Sequence, residues 1–180
     1  EHATLRVAPN STYKIYAALF GLEEGIITPE NSFIAWDGKN HPFDTWNNDQ
    51  TLQSAMSNSV NWYFQSLNEQ LGSPSVNKYI QQIKYGNKNM SGDFSSYWME
   101  SSLKISPIEQ VELLTKLQNN SFGFAPENIN AVKDALCLSS SDAGTFYGKT
   151  GTGREDGQDV HGWCIGYIQT TDNTYSFAPH

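Results

Sequence analysis

The sequence has little of what several large classes of protein require. Basic residues number 11 against 19 acidic ones, the net charge is −8, and no stretch clusters lysine or arginine. A strongly acidic chain without a basic patch is repelled by nucleic acid and by anionic membrane surfaces, so we predict neither as a partner. The longest apolar run covers residues 15–22, well short of the roughly 18 residues that a membrane-spanning helix needs.

Cysteine and histidine are scarce as well. The two cysteines, Cys137 and Cys164, are far apart and match no metal-binding spacing, and whether they form a disulfide stays open at this point. The four histidines show no H-E-x-x-H or similar pattern, so we predict no metal site. The chain begins at Glu1 without a methionine, and we expect its N-terminus to be processed or trimmed.

Local signals predict helices through the middle of the chain and strands at its end. The first helix should cover residues 10–24, with Asn10 as its N-cap and Gly25 as its stop. Ser106 should open a later helix, because Pro107 and Glu109 follow it in a capping-box pattern. Further helices are predicted over residues 51–57, 60–71, 74–83 and 126–136, and irregular structure over 32–50.

The tail is rich in aromatic and β-branched residues separated by glycine and aspartate turns, which is typical of strands. We therefore predict an α+β fold in one domain, residues 1–180. Its helical region should cover roughly residues 22–138, and its sheet-forming tail residues 142–180.

Ser11 and Lys14 form an S-x-x-K pattern at the start of the first predicted helix. Residues three apart share a helix face, so the lysine amine can approach the serine hydroxyl and act as its base. A lysine does this only where burial or another cation lowers its pKa. Taken alone the pattern is common, and a capping serine beside a surface lysine is the more frequent explanation.

Two further short motifs follow along the chain. Ser59-Val60-Asn61 lies at a helix junction and could relay a proton and hold a substrate amide, although serine and asparagine are ordinary turn residues. Lys149-Thr150-Gly151 ends a predicted strand, where a cation and a hydroxyl can bind a carboxylate and a glycine lets a ligand lie close. By itself this second motif also fits a plain strand-to-turn junction.

The three motifs, in this order, resemble those of the penicillin-recognising serine acyltransferases. Tyr85-Gly86-Asn87 and "YWMESSLKISPIEQVELL" narrow the resemblance to class D β-lactamases and the BlaR/MecR sensor-transducers. The stretches "NSTYKIYAALFGLEEGII", "NSVNWYFQSL", "YGNKN" and "YGKTGTG" look most like the sensor domain, and the similarity extends from Arg6 to Phe177. It implies an antiparallel sheet flanked by helices, with an all-helical region on one side. We expect the family's first strands and last helix to be missing.

The resemblance implies a role for each site residue. Ser11 would attack the lactam carbonyl, with Lys14 as the base after CO₂-derived carboxylation of its amine. Ser59 would carry the proton to the departing ring nitrogen. The backbone N–H groups of Ser11 and Thr152 would form the oxyanion hole. Trp98 would hydrogen-bond the carbamate, although a lone tryptophan is usually a core residue.

Substrate binding would fall to the strand that carries the K-T-G motif. The arginine that the family contributes near its C-terminus for the substrate carboxylate has no counterpart here. Lys149 and Thr150 would therefore have to bind that carboxylate, with Gly151 letting the ligand lie close to the strand. The implied chemistry needs no cofactor other than the CO₂ that would carboxylate Lys14.

Asn61 is the informative departure from the hydrolase pattern, since class D enzymes usually have an apolar residue there. An amide beside Lys14 could hold the free amine, remove the base for deacylation and leave a persistent adduct. We therefore predict a β-lactam sensor that signals induction of resistance. The alternatives are a class D β-lactamase, a peptidase acting on D-Ala-D-Ala stems, and a binding module without catalysis.

The resemblance also implies partners and a location. The partners would be β-lactam antibiotics and the rest of a membrane-embedded receptor, and the domain would lie on the extracellular face of the cell membrane. How acylation would be transmitted is not specified by these residues.

Overall fold

The computed structural model describes residues 2–180 and contains five α-helices and four β-strands. The helices are α1 Lys14–Glu23, α2 Leu52–Ser57, α3 Asn61–Ile83, α4 Pro107–Gln118 and α5 Pro126–Leu136. The strands are β1 Cys137–Ser141, β2 Gly144–Glu155, β3 Gln158–Gln169 and β4 Thr174–Phe177. Short 3₁₀ turns cover His2–Thr4, Asn10–Tyr13 and Asp44–Trp46.

The strands form one antiparallel sheet in the order β1-β2-β3-β4. The register of the central pair places Lys149 opposite Ile165 and Gly151 opposite Trp163. The predicted α+β class, with an antiparallel sheet flanked by helices, is confirmed. Strand β1 begins before residue 142, where the sequence prediction placed the start of the sheet. Its residues are all exposed and three are serines, so they give no alternating apolar signal.

Helix α1 is the centre of the core. Every residue from Lys14 to Gly21 is buried, and the helix contacts both α3 and α5. A helix that is apolar on all sides can only be stable when other elements cover it completely. This burial places Lys14, its first residue, in a dry environment.

Most predicted helix ends are confirmed. The Gly25 N–H donates to Leu22 O and the Ile26 N–H to Gly21 O, a Schellman arrangement that ends α1. The capping box at Ser106 and Glu109 is present. The two predicted helices 60–71 and 74–83 are both present, as the two helical segments of α3 on either side of non-helical backbone at Gly72.

The prediction that Asn10 caps the first helix is wrong. Asn10 begins a 3₁₀ turn, has a left-handed backbone (φ 49°), and makes no capping hydrogen bond. Its side-chain amide donates to the Glu100 carboxylate at 2.6 Å instead. The Asn10 side chain therefore binds Glu100, which is distant in sequence, and not the helix end that the local sequence pattern predicted.

Candidate active site

Three elements bring the candidate residues together. Ser11 lies in the 3₁₀ turn before α1, Ser59 and Asn61 lie at the start of α3, and Lys149 to Thr152 lie on β2. Strand β2 and the serine turn are in close contact, since a Cβ added at Gly151 would lie 3.1 Å from Pro9 O and 3.2 Å from Ser11 N. A larger residue at this position would push the strand away from the serine.

Lys14 is the centre of the hydrogen-bond network. Its Nζ lies 2.6 Å from Ser11 Oγ, 3.0 Å from Ser59 O and 2.5 Å from Asn61 Oδ1. The Asn61 side chain is held in this orientation by its amide nitrogen, which donates to Met99 Sδ at 3.4 Å. The predicted S-x-x-K and S-x-N motifs are thus in direct contact.

The surroundings of Lys14 favour the neutral amine. The side chain is fully buried, and burial followed by the nearby charge of Lys149 holds its pKa well below the usual value. Its other neighbours are aromatic: Nζ lies 5.1 Å from the ring centre of Trp98 and 5.9 Å from that of Phe64. The Trp98 Nε1 is buried and has no hydrogen-bond partner within residues 2–180.

Lys149 connects β2 to the start of α3. Its Nζ donates to Ser59 Oγ and, at 3.0 Å, to Thr150 O. Burial lowers the pKa of Lys149 to about 8, so its ammonium form predominates at neutral pH. The pKa of Lys14 is also lowered well below its usual value, by burial and then by the Lys149 charge. Ser59 contacts both lysines through different oxygens.

These residues open onto two cavities. The first, of about 380 Å³, is lined by Ser11, Ser59, Asn61, Thr150, Gly151, Thr152, Phe43, Trp46, Arg154 and Asp159. The second, of about 220 Å³, adjoins it and is also lined by Asn10, Met99 and Glu100. All the sequence-predicted site residues lie at these cavities or, for Lys14, Trp98 and Lys149, directly behind their walls.

Several cavity residues were not among the sequence predictions. Phe43 and Trp46 belong to the segment predicted as irregular, and Arg154 pairs with Asp159 at 2.8 Å on the β2–β3 hairpin. Aromatic residues within the polar stretch 32–50 were the available signal for the first two. The strand register places Arg154 and Asp159 at the cavity. No local sequence pattern predicts that position.

Other possible sites can be assessed within the described part of the chain. No group of three or more histidine, cysteine, aspartate or glutamate residues within residues 2–180 is placed to hold a metal ion. Cys137 and Cys164 are both free and exposed, so the disulfide left open by the sequence is not formed. None of the described helices has the length and apolarity to cross a membrane.

The fold and this arrangement of serine, lysines and K-T-G strand define an active-site-serine protein of the penicillin-recognising class. Comparison with known sequences agrees, because residues 1–180 match the family "Penicillin binding protein transpeptidase domain". The chain belongs to this family.

Individual relatives place it more closely. The chain is 47% identical over 180 residues to the regulatory protein BlaR1 of Bacillus licheniformis, covering 100% of this chain and 30% of that one. The solved C-terminal domain of the Bacillus licheniformis BlaR penicillin-receptor superposes with a TM-score of 0.94 at 46% identity, covering 98% of this chain and 71% of that one. A class D β-lactamase of Bacillus subtilis gives a TM-score of 0.93 at 36% identity, covering 98% and 74%.

The identities confirm the predicted resemblance to BlaR/MecR-type sensor domains, with class D β-lactamases as more distant relatives. The chain spans about 30% of the length of the regulatory proteins that it matches.

Proposed function

We propose that this domain is the β-lactam-binding part of a receptor, acylated at Ser11 by penicillins and cephalosporins and deacylated slowly. The observation that carries the proposal is the contact of Lys14 Nζ with Asn61 Oδ1 at 2.5 Å. The similarity to a penicillin receptor at 46% identity supports the same ligand class.

Acylation begins with proton transfer from Ser11. A neutral amine has two N–H donors and one lone pair, and both Ser59 O and Asn61 Oδ1 can only accept. The lone pair of Lys14 is then left for the Ser11 hydroxyl, 2.6 Å away, and takes its proton as Oγ attacks the lactam carbonyl. The new negative charge on the carbonyl oxygen is stabilised by the backbone N–H groups of Ser11 and Thr152.

Collapse of the tetrahedral intermediate breaks the lactam C–N bond, and the ring nitrogen leaves with a proton. Ser59 delivers this proton, because its hydroxyl accepts from the Lys149 ammonium and can pass its own proton onward. Lys149 and Thr150, beside Gly151, bind the carboxylate of the antibiotic. No water is consumed, so the product is one covalent adduct per chain.

Deacylation needs a base that activates water, and Asn61 works against one. The resemblance implies a carbamate on Lys14, formed from the amine and CO₂ with release of a proton. Asn61 Oδ1 is an acceptor that binds N–H groups, so it favours the free amine over the anionic carbamate. Without the carbamate, Lys14 keeps the proton that it took from Ser11 and cannot activate water, so the adduct persists.

A class D β-lactamase is the second candidate, and one observation favours it. The buried Trp98 Nε1 has no partner within residues 2–180 and lies in the ring that faces Lys14. An unpaired buried donor is costly, and a carbamate oxygen would satisfy it. Hydrolysis of the antibiotic therefore depends on whether Lys14 carries a carbamate, which would accept from Trp98, or stays a free amine bound to Asn61.

The remainder of the receptor lies outside this chain. Because the regulatory relatives are about three times as long, we propose that the domain is the extracellular part of a membrane protein that signals β-lactam exposure. Its partners would be β-lactam antibiotics and the membrane-embedded part of the same protein.

Intact-mass spectrometry tests the proposal. After mixing with benzylpenicillin we expect one adduct per chain within minutes, still present after hours, and no adduct on a Ser11→Ala variant. Hydrolysis of many equivalents of penicillin would identify a β-lactamase instead. Labelling of the Ser11→Ala variant would overturn the assignment of the nucleophile.

A further inference from the structure

The carboxylate of Glu100 joins three elements beside the candidate site, and the proposed chemistry does not use it. Its Oε1 accepts a hydrogen bond from Asn10 Nδ2 at 2.6 Å, and His161 Nε2 lies 2.6 Å from the same oxygen. Asn10 is only 4% exposed, and the side chains of Glu100 and His161 are 19% and 16% exposed. A partly buried charge-assisted hydrogen bond of this length is stronger than a neutral one.

Asn10 immediately precedes Ser11 and has an unusual backbone. Its φ of 49° lies in the left-handed region, which non-glycine residues adopt rarely, although asparagine does so more often than most. Its backbone N–H donates to Trp98 O at 2.9 Å, and its side chain extends to Glu100, two residues further along the same loop. The loop of Trp98 and the turn of Ser11 are thus joined twice through Asn10.

Strand β2 leaves room for this contact at one position. Gly153 lies opposite His161 in the sheet register, and a Cβ added to it would collide with the Glu100 carboxylate and the His161 ring. Only glycine at residue 153 allows the carboxylate to lie between the strand pair and the serine turn. The contact of Glu100 with His161 therefore fixes the carboxylate from the side opposite Asn10.

The conformation of Asn10 sets the direction of the next N–H group. The Ser11 N–H belongs to the peptide group that joins Asn10 to Ser11. If the Asn10 backbone left the left-handed region, this peptide group would rotate and the N–H would point in another direction. The Ser11 N–H is one of the two donors assigned above to the oxyanion. An oxyanion donor acts on charge that develops in the transition state, so its direction affects the chemical step more than ligand binding.

We infer that Glu100 is a positioning residue for acylation: through Asn10 it holds the Ser11 N–H towards the oxyanion. The inference rests on the proposed function, since it concerns acylation of Ser11. Glu100 itself transfers no proton and needs no contact with the antibiotic.

Single-turnover kinetics of the whole chain with a chromogenic cephalosporin separate binding from acylation. Binding is measured as the dissociation constant of the initial complex, and acylation as a first-order rate constant. For Glu100→Ala we expect the acylation rate constant to fall roughly 10- to 100-fold, less than the roughly 100- to 1,000-fold for removing an oxyanion donor, because the N–H is misdirected and not lost. The dissociation constant should change by no more than about twofold, because ground-state contacts remain. Glu112→Ala, which removes the same charge from the exposed face of α4, should leave both constants unchanged.

A conservative variant and a double-mutant cycle distinguish positioning from loss of structure. Glu100→Gln keeps an Oε1 acceptor for Asn10, so its rate constant should stay within about threefold of that of the unmodified chain. Asn10→Ala should lower the rate constant as Glu100→Ala does, and the double variant should be no slower than either single one, because the two residues act as one unit. If Glu100→Ala does not fold, Asn10→Ala tests the same contact from its other side.

Several results would overturn the inference. An unchanged rate constant in Glu100→Ala, an equal loss in Glu100→Gln, or additive losses in the double variant would each exclude positioning through Asn10. These results differ from failure of the proposed function, in which the unmodified chain forms no adduct with the cephalosporin or Ser11→Ala still forms one.

Discussion

At the scale of single residues, the lifetime of the proposed adduct depends on which neighbour binds the Lys14 nitrogen. Asn61 Oδ1 and the Trp98 ring lie on different sides of the same amine, at 2.5 Å and 5.1 Å. Asn61 Oδ1 accepts hydrogen bonds from N–H groups, whereas the Trp98 ring has an N–H of its own that needs an acceptor. The sequence was sufficient to identify both residues, because each lies within a motif of the family. The proximity of Asn61 to Lys14 was expected only from the family resemblance, because 47 residues separate them and no local pattern connects them.

Replacing Asn61 by valine should shorten the life of the adduct. The substitution removes the acceptor that favours the free amine, so the carbamate can persist and activate water. We expect deacylation to quicken by roughly 100-fold, the lower end of the range for a general base, and to depend on added bicarbonate. Decay of the adduct, followed by mass spectrometry after removal of excess penicillin, measures it.

Asn58→Val is the matched control for this substitution. Asn58 lies three residues earlier, is exposed, and its side-chain amide donates to Ser54 O at 3.0 Å and not to the site. Its adduct should last as long as that of the unmodified chain. An equally persistent adduct in Asn61→Val, with bicarbonate present, would show that Asn61 does not control deacylation.

At the scale of structural elements, the loop that carries Trp98 and Glu100 is held by Asn87. The Asn87 N–H donates to Lys104 O at 2.9 Å, its Oδ1 accepts from the Lys104 N–H at 2.9 Å, and its Nδ2 donates to Ser102 O at 2.8 Å. In the sequence, Tyr85-Gly86-Asn87 served only as a family marker. The structure gives it a physical role, which is to fix the chain that follows Trp98.

Local signals explain which elements the sequence could predict. The boundaries of α4 and α5 follow from Ser106, Pro107 and Pro126, whose effects extend over one helical turn. Strand β1 was missed because its polar, exposed residues pair at an edge of the sheet. The hydrogen bonds of the Asn87 side chain join residues up to 17 positions apart. No local sequence pattern predicts contacts at that separation.

Asn87→Ala should destabilise the domain. It removes three side-chain hydrogen bonds and leaves the Lys104 N–H, the Asn89 N–H and Ser102 O without these partners, which should lower the free energy of unfolding by about 2 kcal/mol. Urea denaturation measures the change. Asn77→Ala, at an exposed position of α3, should change the free energy by less than about 0.5 kcal/mol. Equal stability of the two variants would mean that the hydrogen bonds of the Asn87 side chain do not stabilise the domain.

At the scale of the whole molecule, the core contains an unusual number of ionisable groups for an acidic domain. Lys14 is fully buried and Lys149 is 6% exposed, while Tyr13, Tyr16 and Tyr85 are fully buried in the same core. Burial lowers the pKa of both lysines and raises the pKa of the three tyrosines. The composition contains these residues but gives no indication that the fold excludes water from them.

The pH dependence of stability should therefore have a maximum on the alkaline side. Between the folded pKa of Lys149, about 8, and its unfolded value of 10.5, the unfolded chain binds more protons, so stability should rise with pH by about 3 kcal/mol. The lowered pKa of Lys14 adds a contribution of the same sign below the unfolded value of 10.5. Above about pH 10, tyrosines ionise in the unfolded chain and not in the folded one, so the folded chain binds more protons and stability should fall.

Urea denaturation at intervals from pH 7 to pH 11 tests this curve, with Lys149→Met as the comparison. Methionine has a similar length and no titratable group, so the rise between pH 8 and 10.5 should shrink by about the 3 kcal/mol assigned to Lys149. The fall above pH 10 should remain, because the buried tyrosines are untouched. If stability in the unmodified chain falls steadily from pH 7, or if the variant keeps the full rise, then Lys149 is not desolvated in solution. Its ammonium would then be hydrated in the cavity, with a pKa near the usual value, and Lys149 would not be the buried cation that the proposed proton delivery through Ser59 uses.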